Sequence, residues 1–392
     1  MPKAIFGTPE GTRDRLFSEC RDRRAAQSLI TSLFKKRGFS EVITPEVEFY
    51  DLFDSIEQET MLKIVDRTGK ILVMRPDSTT PIARVAATKL KNSVFPQRLY
   101  YNQTVFRSDI GNLGNDAEIQ QCGVELLGAA GVKGDAEVTA LAIDVLEACG
   151  VENYHIELGH PGYFKALAGH ISADTNTLEH IRESIATKNF TRLRSILAPY
   201  EQEKAAKALE ELAFLFGGVE VLDRAEKIAD EPKALEAVNY LRTLYSELEK
   251  AGRGDRVRFD LGLVSRLDYY TGIVFRGYTE GAAKAVVAGG RYDNLTASFG
   301  FPLPSTGFAV YVDDLVACLP PAKLPKVRFV IHFASGMLDD AIRELETYPA
   351  GEAELSPYED REESRKLAKD RGAEYLICFG PEGKEEIWIE QV

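Results

Sequence analysis

The sequence lacks the features that would tie it to a membrane, a metal or a disulfide framework. No run approaches the roughly 18 consecutive apolar residues of a membrane helix. The opening MPKAIFGTPEGTRD has no basic-then-apolar layout of a signal peptide. No membrane partner is therefore expected, and a reducing cytoplasm is the expected compartment. The five cysteines, Cys20, Cys122, Cys149, Cys318 and Cys378, are scattered without a CxxC pair. That spacing argues against both a disulfide scaffold and a zinc site. The five histidines form no HxxxH pair, and neither metal nor cofactor is expected. Positive charge is in deficit: 48 Lys and Arg stand against 61 Asp and Glu, a net charge of −13. Phosphate binding rests on Lys and Arg, so a large nucleic-acid footprint is disfavoured.

What is present is an ordinary globular composition, 44% hydrophobic and 28% charged, in 392 residues, enough for two or three domains. From Arg13 to Phe34 apolar residues recur at spacings of three and four, which predicts a helix ending at Gly38. FSEVITPEVEFYD is strand-like but broken by Pro45, which suits an edge or an interface. KIVDRTGKILVMRPD reads as a hairpin turning at Thr68-Gly69. TPIARVAATKL reads as a short helix with Thr80 as N-cap and Pro81 at its first position. Residues 97–107 and 118–127 read as two strands around a Gly/Asn-rich loop. Asp135 to Cys149 is an apolar-striped helix, and NYHIEL a strand. Residues 165–250 are charged and helical, a helical insertion in a β-rich domain. Strand signals return at VRFDLGL, YYTGIVFRGY and AKAVVAGG, and a helix begins near Asp313. LPPAKLP, 319–325, has a linker's composition. Beyond it strand and helix alternate, so the expected division is a core over 1–319 and a small α/β domain over 326–392.

Chemistry concentrates in VFRSDIGNLGNDAEIQQCGVELLG, residues 105–128. Arg107 is suited to an anion. On a strand Gln121, Gly123 and Glu125 share one face, and at roughly 3.3 Å per residue Gln121 and Glu125 stand about 13 Å apart. Gly123 between them leaves space for a small ligand. An amide and a carboxylate flanking a gap suit an ammonium or an imidazole; a solvated polar face with a glycine bulge fits the same spacing. MRPDSTTP puts Asp77 and Thr79 after a strand, where an Asx-turn into the next helix is the plainer account. Tyr269 and Tyr270 of LDYYTG are, as a pair, ordinary packing residues. Gly289 and Gly290 before Arg291 suggest a tight turn more readily than a phosphate cradle.

Taken in order, MRPDSTTPIAR, VFRSD…QQCGVELLG, LDYYTGIVF, AGGRYDNL and STGFAVYVDDL resemble the catalytic core of the histidyl-tRNA synthetases. The resemblance spans about residues 4–319 with the helical insertion included, and 326–392 is faintly similar to that family's anticodon-binding domain in trimmed form. It implies an α+β fold: a class II aminoacyl-tRNA synthetase-like antiparallel sheet of six or seven strands flanked by helices. It also implies a homodimer through the first motif, here the long helix and the segment containing Pro45. The family's histidine-binding positions fall on Asp77, Thr79, Gln121, Glu125 and one or both of Tyr269 and Tyr270, with Asp77 replacing a glutamate. Arg107 falls on its first anion-binding arginine.

The same resemblance marks what is missing. The family's second-motif loop runs R-x-E-R-P-Q-K-G-R-x-R. Here Arg107 is followed by Ser-Asp-Ile-Gly-Asn-Leu-Gly-Asn-Asp-Ala, with no further cation. Ser265 stands where the family carries an arginine for the substrate carboxylate and α-phosphate. Arg266 comes one position late, on the opposite face if the segment is a strand. Asp313-Asp314-Leu315 replaces Glu-Arg-Leu, and Tyr311 replaces a glycine that leaves room for adenine. Two unit charges 4 Å apart interact by about 4 kcal/mol at an effective dielectric near 20. At about 1.4 kcal/mol per tenfold change, exchanging an arginine for an aspartate lowers ATP affinity by several orders of magnitude. Neither adenylation nor tRNA binding is expected.

A pocket that keeps its amino-acid half and loses its nucleotide half resembles that of the regulatory subunits of ATP phosphoribosyltransferase. That resemblance implies a non-catalytic subunit with histidine as effector. It also implies a short-form catalytic subunit as partner within a hetero-oligomer, and a role in the first step of histidine biosynthesis and its feedback inhibition. A degenerate but active histidyl-tRNA synthetase and a pseudo-synthetase module of another complex are the alternatives.

Overall fold

Two ten-residue strands, Gln97–Phe106 and Glu118–Leu127, pair antiparallel along their whole length, from Gln97 opposite Leu127 to Phe106 opposite Glu118. They form the spine of the computed structural model, which describes residues 7–53, 56, 58–108, 116–229, 231–264, 270–321 and 325–390. The chain divides into two compact units, Met1–Pro320 and Pro321–Val392. In the first, the main sheet runs in the order Ser40–Glu41, Gln97–Phe106, Glu118–Leu127, Ser305–Tyr311, Val287–Arg291, Val274–Thr279, Tyr154–Gly159, Val257–Asp260, Phe216–Gly217. Its centre is antiparallel. Ser40–Glu41 and Val257–Asp260 each pair parallel to a neighbour, so the sheet is wider than expected and mixed near its edges.

Alternation along Glu118–Leu127 decides what each face does. Cys122, Val124 and Leu126 join the main apolar cluster, which is closed by the long helix Phe17–Lys36 and by Val132–Ala148. The long helix buries Ala26, Ile30 and Phe34 at intervals of four. The Phe34 ring lies 6.0 Å from Tyr100 and 5.9 Å from Phe308. Each such buried side chain contributes about 1.5–3 kcal/mol. The opposite face of the sheet is covered at one end by the short helix Thr79–Thr88, whose Ile82, Ala83 and Ala86 pack on Leu99, Tyr101 and Leu127, and the inserted segment borders it on the other side. The rest of that face is left for polar side chains.

A smaller sheet joins Val47–Phe49, Ile71–Met74 and Lys63–Val65. The hairpin turns where expected, with Gly69 at φ +84° and the Asp66 carboxylate accepting from the Thr68 and Lys70 amides. Six helices, from Pro161–Ala168 to Pro232–Lys250, lie between the strands Tyr154–Gly159 and Val257–Asp260 among the described residues. Their Ile181, Ile185, Leu209 and Leu241 share one apolar cluster with Ile156 and Phe259 of the sheet. In AGGRYDNL the turn comes after the glycines, at 293–295: Val287–Arg291 is a strand, and Arg291 points into the protein. Its guanidinium donates to both oxygens of the fully buried Asp135 at 3.0 and 2.9 Å, and the Tyr240 hydroxyl donates to the same carboxylate at 2.5 Å. Sheet, core helix and inserted helix are thereby tied at one point.

The second unit pairs Phe329–Phe333 parallel with Ala353–Leu355 and Tyr375–Gly380, and adds Gly383–Trp388 antiparallel. The helices Leu338–Leu345 and Arg361–Arg371 supply Ala341 and Ala368 to apolar clusters that take Ile331 and Val330, which alternate along one strand. Among the described residues, no helix is long and apolar enough to cross a membrane.

Removing one partner of a buried, hydrogen-bonded ion pair costs about 3–5 kcal/mol, because the other charge is stranded. Asp135→Ala is therefore expected to lower the stability of the first unit by that amount in urea denaturation followed by circular dichroism. Glu210→Ala, which removes the exposed ion pair to Arg194, is expected to cost less than about 1 kcal/mol.

Candidate functional site

The uncovered part of the sheet face forms a cavity of about 960 Å³. At one end Glu125, 1% exposed, lies within the sheet opposite Gly307. A Cβ at residue 307 would overlap the Glu125 carboxylate, so only glycine fits there. The Thr79 hydroxyl donates to Glu125 Oε1 at 2.8 Å, and the Tyr292 hydroxyl donates to Oε2. Burial pushes this carboxyl up from its ordinary 4.5 to about 8. The two hydroxyl bonds oppose the shift and the charge of Asp77 adds to it.

Asp77 performs the Asx role that its sequence suggested, and also faces the cavity. Its Oδ1 accepts the Thr80 amide at 2.8 Å and its Oδ2 the Thr80 hydroxyl at 3.0 Å. Ser78 rather than Thr80 is the N-cap residue, Thr80 already lies inside the helix, and Asp77 just before the cap supplies the side chain that accepts from the first turn. The shift matters for the site, because it brings Thr79 into the first turn, within reach of Glu125. Asp77 is 6% exposed. Burial raises its carboxyl above the ordinary range, against the bonds from Thr80 and the charge of Arg107.

Gln121, Arg107 and Tyr270 line the same cavity, so it gathers Asp77, Thr79, Arg107, Gln121, Glu125 and Tyr270. Arg107 donates from Nε to the Pro76 carbonyl at 2.9 Å. Tyr269, Ser265, Arg266 and residues 109–115 lie outside the described residues. One expectation fails. Gly123 does not hold space open for a ligand, because Tyr101 stands directly opposite in register and its phenol occupies the place of the missing side chain. Gly290 likewise seats the Tyr270 ring, which a Cβ would approach to 2.7 Å. Sequence reasoning missed Tyr292 and Tyr101. Pairing the two long strands symmetrically about their loop would have placed Tyr101 over Gly123. Nothing in the local sequence pointed Tyr292 at Glu125.

Seven residues separate Glu118 from Glu125, roughly 23 Å of strand. At that far end Asp116, Glu118, Asp313 and Asp314 line the cavity. Asp313 pairs with Arg15 at 3.2 Å and Arg23 at 3.0 Å, and Arg15 also reaches Asp116 at 3.4 Å. These two arginines are committed to carboxylates, and Lys284, whose charge acts on Asp314, is the cation that lines this end beside the four acids. The near end offers two buried carboxyl groups, hydroxyl donors and aromatic rings, an arrangement that stabilises a small organic cation.

Residues 11–315 match the family model described as histidyl-tRNA synthetase. A protein from Clostridium kluyveri named ATP phosphoribosyltransferase regulatory subunit is 37% identical over 94% of this chain and 97% of its own length. A solved structure from Bacillus halodurans, described as an ATP phosphoribosyltransferase regulatory subunit/histidyl-tRNA synthetase, superposes with a TM-score of 0.84. It is 29% identical and covers 96% of this chain and 98% of its own. Histidyl-tRNA synthetase from Nostoc, at 18% identity and a TM-score of 0.77 over 98% of this chain and 97% of its own, shares the fold.

The Glu125 carboxyl generates a pH prediction. It holds its proton up to about pH 8 in the folded chain, whereas in the unfolded chain it ionises near its ordinary value. Its contribution to stability is full below about pH 4.5 and is lost as pH rises to about 8, with a slope of at most about 1.4 kcal/mol per pH unit. Glutamine does not titrate. The melting temperature of Glu125→Gln is therefore expected to rise relative to the parent between pH 5 and 8 and to hold a constant difference above. Parallel melting curves across that range would contradict the assignment.

Proposed function

We propose a function from one premise: the chain belongs to the histidyl-tRNA synthetase family and, within it, to the ATP phosphoribosyltransferase regulatory subunits, non-catalytic members of an enzyme complex. Its cavity binds histidine as an effector. The ammonium group meets Asp77 and Glu125, Gln121 supplies a polar contact, and one or both of Tyr269 and Tyr270 enclose the imidazole. Arg107 is the candidate partner of the carboxylate. The chain works as a homodimer within a hetero-oligomer, in the cytoplasm, with a short-form catalytic subunit. There it serves the first step of histidine biosynthesis and its feedback inhibition. It neither charges nor binds tRNA. The 326–392 segment is a trimmed anticodon-binding domain, and 1–319 the synthetase-like core with its insertion over 165–250.

The observation that carries this reading is the contrast between the two ends of one cavity. The near end keeps two buried carboxyls beside hydroxyls and rings, which suit an amino acid's ammonium and ring. The far end, where a nucleotide would need several cations, presents Asp116, Glu118, Asp313 and Asp314, with Lys284 beside Asp314. Preorganised positive charge is what phosphoryl-type transition states require.

A hydrogen bond to a charged group contributes roughly 1.5–3 kcal/mol. Glu125→Ala and Asp77→Ala are each expected to weaken histidine binding about tenfold or more in calorimetry, and unchanged affinity in both would place the site elsewhere. The regulatory role is tested by mixing the chain with the short catalytic subunit and assaying phosphoribosyl-ATP formation with and without histidine. Coupling of about 1–3 kcal/mol predicts roughly 5–150-fold inhibition. A catalytic subunit equally active and equally histidine-sensitive alone would sink that role, and histidine-dependent ATP–pyrophosphate exchange would revive the synthetase reading.

A further inference from the structure

A second cavity, of about 600 Å³, lies between the inserted helices and the sheet, and the function proposed above does not use it. Its size suits a small molecule. One wall is aromatic. Phe190 and Phe214 stack with centroids 4.5 Å apart and planes at 18°, and Phe216 lies beside them. Phe214 and Phe216 are 42% and 49% exposed, large apolar rings left in water at the cavity rim. The opposite wall is polar. Arg276 and Glu157 are direct cross-strand partners and line the cavity together, next to Tyr278, which stacks on His155.

The charged groups differ in how far they are committed. Asp260 is 4% exposed and fully engaged: it accepts from Lys188 Nζ at 2.8 and 2.7 Å and from the Gly262 amide at 2.8 Å. Lys188 reaches it from a backbone at φ +53°, a conformation uncommon for a lysine, so this pair is a fixed part of the wall. Among the described residues Glu157 has one hydrogen-bond partner, the His155 ring nitrogen at 3.3 Å. Burial and the adjacent Asp260 raise its carboxyl, against the His155 bond and the charge of Lys188, and its oxygens are hydrogen-bond acceptors facing the cavity. Among the described residues the Arg276 guanidinium has no hydrogen-bond or ion-pair partner. The cavity thus offers a flat apolar wall, a hydrogen-bonding carboxyl and an uncommitted cation.

We propose that this cavity is a second ligand site, for a purine nucleoside monophosphate: the base packs on Phe214 and Phe216 with its polar edge toward Glu157, and the phosphate meets Arg276. A fused heterocycle supplies the face and the donor–acceptor edge, and the phosphate supplies the negative charge; a simple aromatic amino acid lacks the polar edge. Arg276 and Tyr278 also line the first cavity, so the two sites share a wall. The site stands independently of histidine binding in the first cavity.

The probe is AMP, titrated calorimetrically into the full chain, with adenosine and inorganic phosphate as controls. AMP is expected to bind, and adenosine about tenfold more weakly. Phe214→Ala and Phe216→Ala are each expected to weaken AMP about tenfold, in line with the contribution of stacking to base binding. Both rings are exposed, so both variants should keep the parental circular dichroism spectrum. Photolabelling with 8-azido-AMP should mark the 186–216 segment. No AMP binding at millimolar concentration, parental AMP affinity retained in both phenylalanine variants, adenosine binding as tightly as AMP, or label confined to residues 77–125 would each overturn the proposal. None of these outcomes bears on whether histidine occupies the first cavity.

Discussion

A carboxyl group buried at the centre of an antiparallel sheet constrains everything built around it. Glu125 takes its hydrogen bonds from two segments far apart in sequence, Thr79 before it and Tyr292 after it. Thr79 is in place because Asp77 starts the helix there, and Tyr292 because Arg291 anchors the end of its strand on Asp135. The strand on the other side must carry glycine at residue 307, since any side chain would collide with the carboxylate. One buried acid therefore fixes a helix start, a strand end and a glycine. Each requirement is a polar-satisfaction or steric rule rather than a chemical role.

The acidic far end follows a different logic. Asp313 and Asp116 are not deeply buried, and they draw Arg15 and Arg23 into ion pairs, while Asp314 feels the charge of Lys284. These two arginines, which could have met phosphate, are neutralised within the protein. An arginine engaged by a carboxylate at about 3 Å offers little net charge to an incoming anion. The division of the cavity thus rests on which carboxyls are satisfied internally by arginine and which are not. Asp77 and Glu125 are held by hydroxyls, an amide and the more distant charge of Arg107, and so keep a demand for a cation.

Much of this was legible in the sequence where a rule is local. Alternation placed Gln121 and Glu125 on one face, spacing placed the long helix, and Thr68-Gly69 placed the hairpin turn. The family resemblance supplied the sheet. What stayed hidden depends on pairing between distant segments. Gly123 reads as open space until its register partner Tyr101 is known. Gly289-Gly290-Arg291 reads as a turn because glycine pairs usually mark one. In this sheet they are strand residues whose missing side chains make room for Phe308 and for the Tyr270 ring. Asp77 was read as either cap or ligand contact, and it accepts from a helix's first turn while lining the cavity. A carboxylate has two oxygens and several lone pairs, so the alternatives were never exclusive.

The energetics of the near end bear on what such a site can signal. Two carboxyls in one low-dielectric pocket cannot both ionise cheaply, and the empty pocket answers by keeping a proton on Glu125 near neutral pH. A ligand ammonium changes that balance, because its charge stabilises the ionised form. On the proposed reading, binding exchanges a proton for a cation, and the hydrogen bond between Glu125 and Tyr292 changes character with it. A ligand shifts an equilibrium only by its differential affinity for two states. Here the two states are chemically distinct: a neutral acid held by hydroxyls, and a carboxylate drawn to a cation. Tyr292 leads directly into Arg291, whose ion pair with Asp135 is shared by Tyr240 of the inserted helices. A change in how tightly Glu125 holds Tyr292 therefore acts at the junction where sheet, core helix and insertion are joined, which gives a local change of charge a physical route to the outside of the subunit.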